Sequence, residues 1–158
     1  MRKRPSRGPR PSSIARVRGI DYLDLGKHLG YALRRAQVAA FDAFHRATAG
    51  VGITPPRFTA LVILQANPGI SQSTLGEVLG TARSGAMLLT DWLEDRGFAE
   101  RHHRQDDGRA WGLHLTGKGQ RTIEQLRRRV RNSDRRFAAR LSAGERRQLL
   151  ELLERLAR

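Results

Sequence analysis

Cysteine is absent from the 158 residues. That one absence excludes disulfides, thiolate zinc sites and sensing by thiol oxidation. No apolar run approaches the length a bilayer demands, and the basic N-terminus has no apolar segment behind it. Neither a membrane span nor a secretory signal is expected, and the cytoplasm is the expected location. Aromatic residues make up only 6% of the chain, with no stacking motif of the kind that single-strand recognition uses. Catalytic signatures are missing as well. The stretch "GTARSG" at 80–85 has neither the lysine nor the spacing of a phosphate-cradling loop, and there is no cysteine nucleophile. No enzymatic activity and no cofactor is therefore expected.

Acidic residues are the other shortage. Fifteen Asp and Glu face thirty Lys and Arg, a formal net charge of +15, and such an excess favours a polyanionic partner. Its distribution does not by itself locate a binding face. Residues 1–20 hold seven basic residues and no acid, and 117–140 hold nine against two, whereas 81–116 hold five against six. The opening "MRKRPSRGPRPSS" is polar, proline-bearing and basic. Residues 1–20 are therefore expected to form a disordered arm, either a solubilising tail or a DNA contact.

Length allows one domain, expected over 21–158. From Asp21 to Thr48 apolar or small residues recur every three or four positions (Tyr22, Leu25, Leu29, Leu33, Ala36, Ala40, Phe44, Ala47), one stripe of a long helix. A second helix opens with Thr54 as cap and Pro55 at its first position, and closes at Asn67-Pro68-Gly69. Ser71 caps a short third helix that turns Leu75, Val78 and Leu79 inward, with Gly76 small enough for a close crossing. A fourth helix follows Gly80, burying Ala86, Leu89 and Leu93 and stopping at Gly97. Two short helices joined by a tight glycine-containing turn read as a helix-turn-helix.

Residues 98–103 and 110–115 read as the two strands of a hairpin, with Asp107-Gly108 at its reversal. Thr116 caps a long basic helix with the stripe Ile123, Leu126, Val130, Phe137 and Leu141. Ser142 and Glu145 form a capping box ahead of a last helix carrying Leu149, Leu152, Leu153 and Leu156 on one side.

Asp107-x-Arg109 stands five residues before Leu115-Thr116, supported by "LEDRGFAER" at 93–101 and "LSAGERRQLLELL" at 141–153. In this order of elements the chain resembles the MarR family of bacterial winged-helix transcriptional regulators over roughly 22–158. The resemblance implies a mainly α fold with a small β-hairpin wing, a winged helix-turn-helix whose dimer is formed by the N- and C-terminal helices. Residues 54–116 are then the DNA-binding lobe, and 21–50 and 117–158 the dimerisation helices. It also implies a homodimeric repressor on a pseudo-palindromic operator in double-stranded DNA, contacted by Thr81, Arg83, Ser84, Gly85 and Met87 on the recognition helix and by Asp107 and Arg109 on the wing. Arg109 is suited to a narrow minor groove. Asp107 is suited to pinning the wing by hydrogen bonds.

Two positions depart from the family pattern. Ala82 stands where Ser or Thr usually precedes the recognition helix, leaving Thr81 as the nearest cap, and Met87 and Leu88 stand where relatives often carry Thr and Arg. Base readout is therefore expected to use apolar contacts with thymine methyls beside Arg83 and Ser84. Relatives commonly release DNA on binding a small aromatic or anionic effector, for which Arg34, Arg35 and His45, with Phe41 and Phe44, offer cationic and aromatic groups. No metal site is expected at His102 and His103, because neighbouring strand residues point to opposite faces. A non-specific nucleoid or RNA-binding protein remains the alternative reading of the charge. The leucine stripes of the outer helices either complete a single chain's core or cover a second copy.

Overall fold

The computed structural model describes residues 17–103 and 111–157. The chain divides into two compact units, here named by their place in the sequence: a central unit of residues 47–132, and a terminal unit of residues 1–46 with 133–158.

In the terminal unit, helix α1 spans Leu29–Ala47. The expected helix from Asp21 starts eight residues late, and local bonding explains why. The Asp21 carboxylate accepts the Leu23 N–H at 2.8 Å, a side-chain bond that competes with helix formation. Leu23 then adopts φ +46°, and only a 3-10 turn at Leu25–Lys27 intervenes before the extended His28. Tyr22 and Leu25, counted in the stripe, thus precede the regular helix.

In the central unit, helix α2 spans Pro55–Ala66. Pro55 brings a preset φ and no N–H to a position whose N–H has no helical partner. Thr54 precedes it in extended conformation, and its side chain makes no capping bond. Helix α3, Gln72–Val78, is capped as expected, the Ser71 hydroxyl accepting the Thr74 N–H at 3.1 Å. Helix α4 spans Arg83–Asp95. Strands β1 (Ala99–His103) and β2 (Trp111–Leu115) pair antiparallel with Ala99 opposite Leu115 and His103 opposite Trp111. An isolated bridge from Ile70 to Leu113 gives β2 a partner on its other edge. Helix α5 runs Gly117–Phe137. Its cap, Thr116, accepts the Gly119 N–H at 3.0 Å and donates to the Gly97 carbonyl at 2.6 Å.

Every buried apolar residue among those described belongs to the central unit, from Ile53 to Leu126. Leu61, Leu75, Leu93, Leu113 and Ile123 are fully enclosed, each contributing about 1.5–3 kcal/mol relative to exposure. Val78 is not among them; it lies half-exposed, against expectation. The buried face of α3 centres between Leu75 and Gly76, which at 100° per residue turns Val78 about 110° away. Gly76 sets that rotation. A Cβ there would lie 2.9 Å from the Ala86 Cβ, so glycine alone permits this crossing of α3 and α4.

The terminal unit is built differently. Helix α6, Ala143–Leu156, opens with the expected capping box: the Ser142 hydroxyl accepts the Glu145 N–H while the Glu145 carboxylate accepts the Ser142 N–H at 2.8 Å. The Ser142 N–H, contributing most, and the Ser142 hydroxyl, which also donates to the carboxylate at 2.7 Å, hold the Glu145 carboxyl below the usual carboxylate range. Ser133 donates to the Ala43 carbonyl at 2.9 Å, tying the end of α5 to α1, and Arg146 pairs with Asp134. No residue of α1 or α6 is buried. Leu149, Leu150, Leu152 and Leu156 stand open to solvent.

Candidate nucleic-acid interface

The candidate reading surface lies entirely in the central unit. Between α3 and α4 the chain turns at Gly80, and the Thr81 N–H donates to the Gly76 carbonyl at 3.0 Å. The cap of α4 is Ala82, which has no side-chain acceptor. Thr81 therefore does not cap the helix. Its hydroxyl instead folds over Gly85, leaving no room for a Cβ there. Thr81 and Gly85 belong together as a packing pair, both half-buried, while Arg83 and Ser84 on the first turn are exposed.

Inward, α4 presents Ala86, Thr90 and Leu93. Leu89, expected inside, is only half-buried. The fully buried position is Thr90, whose hydroxyl donates to the Ala86 carbonyl at 2.8 Å and so carries no unsatisfied polar group into the core. Outward, the helix presents Arg83, Ser84, Met87 and Leu88, with Met87 48% and Leu88 68% exposed.

One arginine binds three elements of this unit together. Arg101 on β1 donates to Glu94 and, at 3.1 Å, to Asp91, both on α4, and at 3.1 Å to Gln72 on α3. Its guanidinium fork presents several donors in one plane, and so can serve two carboxylates and an amide at once. Apolar periodicity and motif spacing do not assign this role to Arg101. The available signal was an arginine on the strand after a helix ending in Asp91-x-x-Glu94, a pair on one helix face. Beside Arg101 a cleft of about 950 Å³ opens among α3, α4 and the hairpin, lined by Gln72, Arg83, Met87, Asp91 and Trp111 among others.

The two histidines of β1 part company. His102 stacks on His114 with ring centroids 4.8 Å apart, and its Nε2 lies 3.0 Å from the Glu100 carboxylate. His103 packs on Trp111 at 3.8 Å. They serve opposite faces of the hairpin. Asp107 and Arg109 lie outside the described residues. On α1, Arg34 and His45 are exposed. Arg34 donates to Gln37 at 3.2 Å, Arg35 lies 5.8 Å over the Tyr31 ring, and His45 meets Phe44 edge-on at 5.8 Å. Ten to eleven positions of helix, about 15 Å, separate the two arginines from His45, so the three do not converge on one point.

A sequence model of the MarR family matches residues 51–110, a span lying within the central unit. A candidate transcriptional regulatory protein for the hcr operon of Thauera aromatica is 38% identical over 131 residues, covering 82% of this chain and 79% of that one. The chain belongs to the MarR family. It is a transcriptional regulator, not an enzyme. Among solved structures, the repressor CouR bound to a 23-mer DNA duplex matches this MarR-family chain with a TM-score of 0.83 and 35% identity, over 88% of this chain and 99% of that one. CouR bound to p-coumaroyl-CoA matches with a TM-score of 0.80 and 34% identity, over 88% and 98%. The mainly helical fold with its two-stranded wing is the winged-helix fold of these repressors.

Proposed function

We propose that two copies of the chain bind a pseudo-palindromic duplex operator and repress transcription until a small aromatic or anionic effector releases them. The observation that carries the DNA reading is the outward face of α4. It offers Arg83, Ser84 and Met87 to solvent, while the acids further along, Asp91 and Glu94, are held by Arg101. A helix so presented suits the major groove, with Asp107 and Arg109 of the wing assigned to the flanking minor groove. The DNA-bound CouR neighbour supports this assignment. Dimerisation is supported by the terminal unit, whose helices α1 and α6 bury no residue within one chain and leave four leucines of α6 exposed. An effector of the aryl-thioester class is supported by the CouR structure holding p-coumaroyl-CoA. The spread of Arg34, Arg35 and His45 along α1 fits a long ligand better than a compact one. A regulator acting on chromosomal DNA works in the cytoplasm; among the described residues no helix is long and apolar enough to cross a membrane.

Selection of bound duplexes from a random pool tests the reading. A palindromic consensus is expected, and its preference over random duplex should persist as salt rises. Recovery without a consensus, with all binding lost together at moderate salt, would leave only a charge-driven coating protein. Arg109→Ala should weaken the selected duplex by about 1–3 kcal/mol.

A further inference from the structure

Leu88 is the most exposed large apolar side chain of the central unit among the described residues, at 68%, and Met87 beside it is 48% exposed. Leu88 cannot be buried within the chain without unwinding α4, whose opposite side already packs Ala86, Thr90 and Leu93 into the core. Ser84 and Leu88 are four residues apart, so they share one stripe. The next position along that stripe is Asp91, whose carboxylate is taken by Arg101 at 3.1 Å. Beyond its first turn, the outward face of α4 therefore presents hydrocarbon where a base-reading helix usually presents donors or acceptors.

We infer that Leu88, assisted by Met87, reads thymine 5-methyl groups in the major groove, so that each operator half-site carries thymine where the middle of α4 lies. This inference rests on the proposed seating of α4 in the major groove. The 5-methyl of thymine is the only apolar group on the major-groove edges of the four bases. Against guanine, adenine or cytosine, Leu88 would cover donors and acceptors without replacing their water, which penalises those bases. The surroundings favour a nucleic acid over an apolar protein partner. Arg83 stands one turn before Met87, the nearest acid on the face is ion-paired with Arg101, and the chain carries a net +15.

Uracil differs from thymine only by the missing methyl, which gives a direct test. Duplexes recovered by selection from a random pool are resynthesised with uracil at one thymine at a time, and their affinities measured for the full chain and for Leu88→Ala. At one or two symmetry-related positions per half-site, uracil should weaken the full chain about fourfold, the scale of burying one methyl. Leu88→Ala should bind the thymine duplex as weakly as the uracil one, with the same thermal stability as the unaltered chain because Leu88 supports no packing. Insensitivity to uracil at every position overturns the inference, as does a uracil penalty in Leu88→Ala equal to that in the full chain, which would trace the effect to DNA shape. Both results leave the operator reading standing. Selection without a consensus would instead overturn that reading and this inference with it.

Discussion

Arg101 on β1 holds Asp91 on α4, Nη2 to Oδ1, at 3.1 Å, and the same guanidinium takes Glu94 one turn further along the helix. The root of the wing and the back half of α4 are thereby fixed to one another through a side chain 32% exposed. Arg101→Ala leaves two carboxylates three residues apart with no cation between them. A loss of about 1–2 kcal/mol in urea unfolding is expected, the partial exposure keeping it below the range of buried pairs. Arg101→Lys should recover little of it, since an ammonium cannot serve Asp91, Glu94 and Gln72 in one plane.

The crossing of α3 over α4 makes a second prediction. Gly76→Val would drive a branched side chain into Ala86, whose Cβ already lies 2.9 Å from an added Cβ. Overpacking of this kind costs about 1–3 kcal/mol, several times the few tenths regained in helix propensity. A urea midpoint unchanged from the parent would show that the crossing is looser than its geometry indicates.

Removal of α6 tests the assembly. A chain ending at Leu141 loses the face bearing Leu149, Leu150, Leu152 and Leu156. Sedimentation should find it monomeric or aggregated. A dimer of unchanged affinity would place the interface elsewhere.

Acid should loosen α6 at its start. The Glu145 pKa is lowered by its bonds to Ser142. The charged carboxylate thus contributes stability that is fully present above the unfolded pKa and lost as pH falls through the lowered folded one. In Glu145→Gln the box keeps its geometry but not its titration. Thermal melts of the two proteins should differ at neutral pH and converge in acid below the usual carboxylate range. A constant gap across that range would remove Glu145 as the cause.

Local chemistry was the legible part of this sequence. Ser71, Thr116 and the Ser142–Glu145 pair cap helices where their spacing places them, because such bonds reach only three residues. Gly76 was readable as a crossing point for a similar reason, since a glycine inside a helix needs a neighbour to justify it. The errors arose where tertiary contact decides. Val78 follows the 3.6-residue rhythm, yet the approach of Ala86 rotates α3 and turns it outward. Thr81 has the chemistry of a cap, but its hydroxyl is drawn over Gly85. Arg101 joins α3, α4 and β1 across 29 residues of chain, a distance at which no pattern of apolar and polar positions carries information. Asp21 belongs to the local class, but the apolar stripe that starts beside it is the stronger signal in the sequence.

The bareness of α1 and α6 has a consequence for abundance. In the dimer proposed above, α1 and α6 complete their packing against a second copy, so that packing follows mass action. Copy number then becomes a structural variable. In the proposed assembly dilution separates the two reading heads, and affinity gained by holding both at once on a single operator is lost with the pairing. Under that proposal, synthesis and degradation of the chain tune its occupancy of DNA alongside any small molecule.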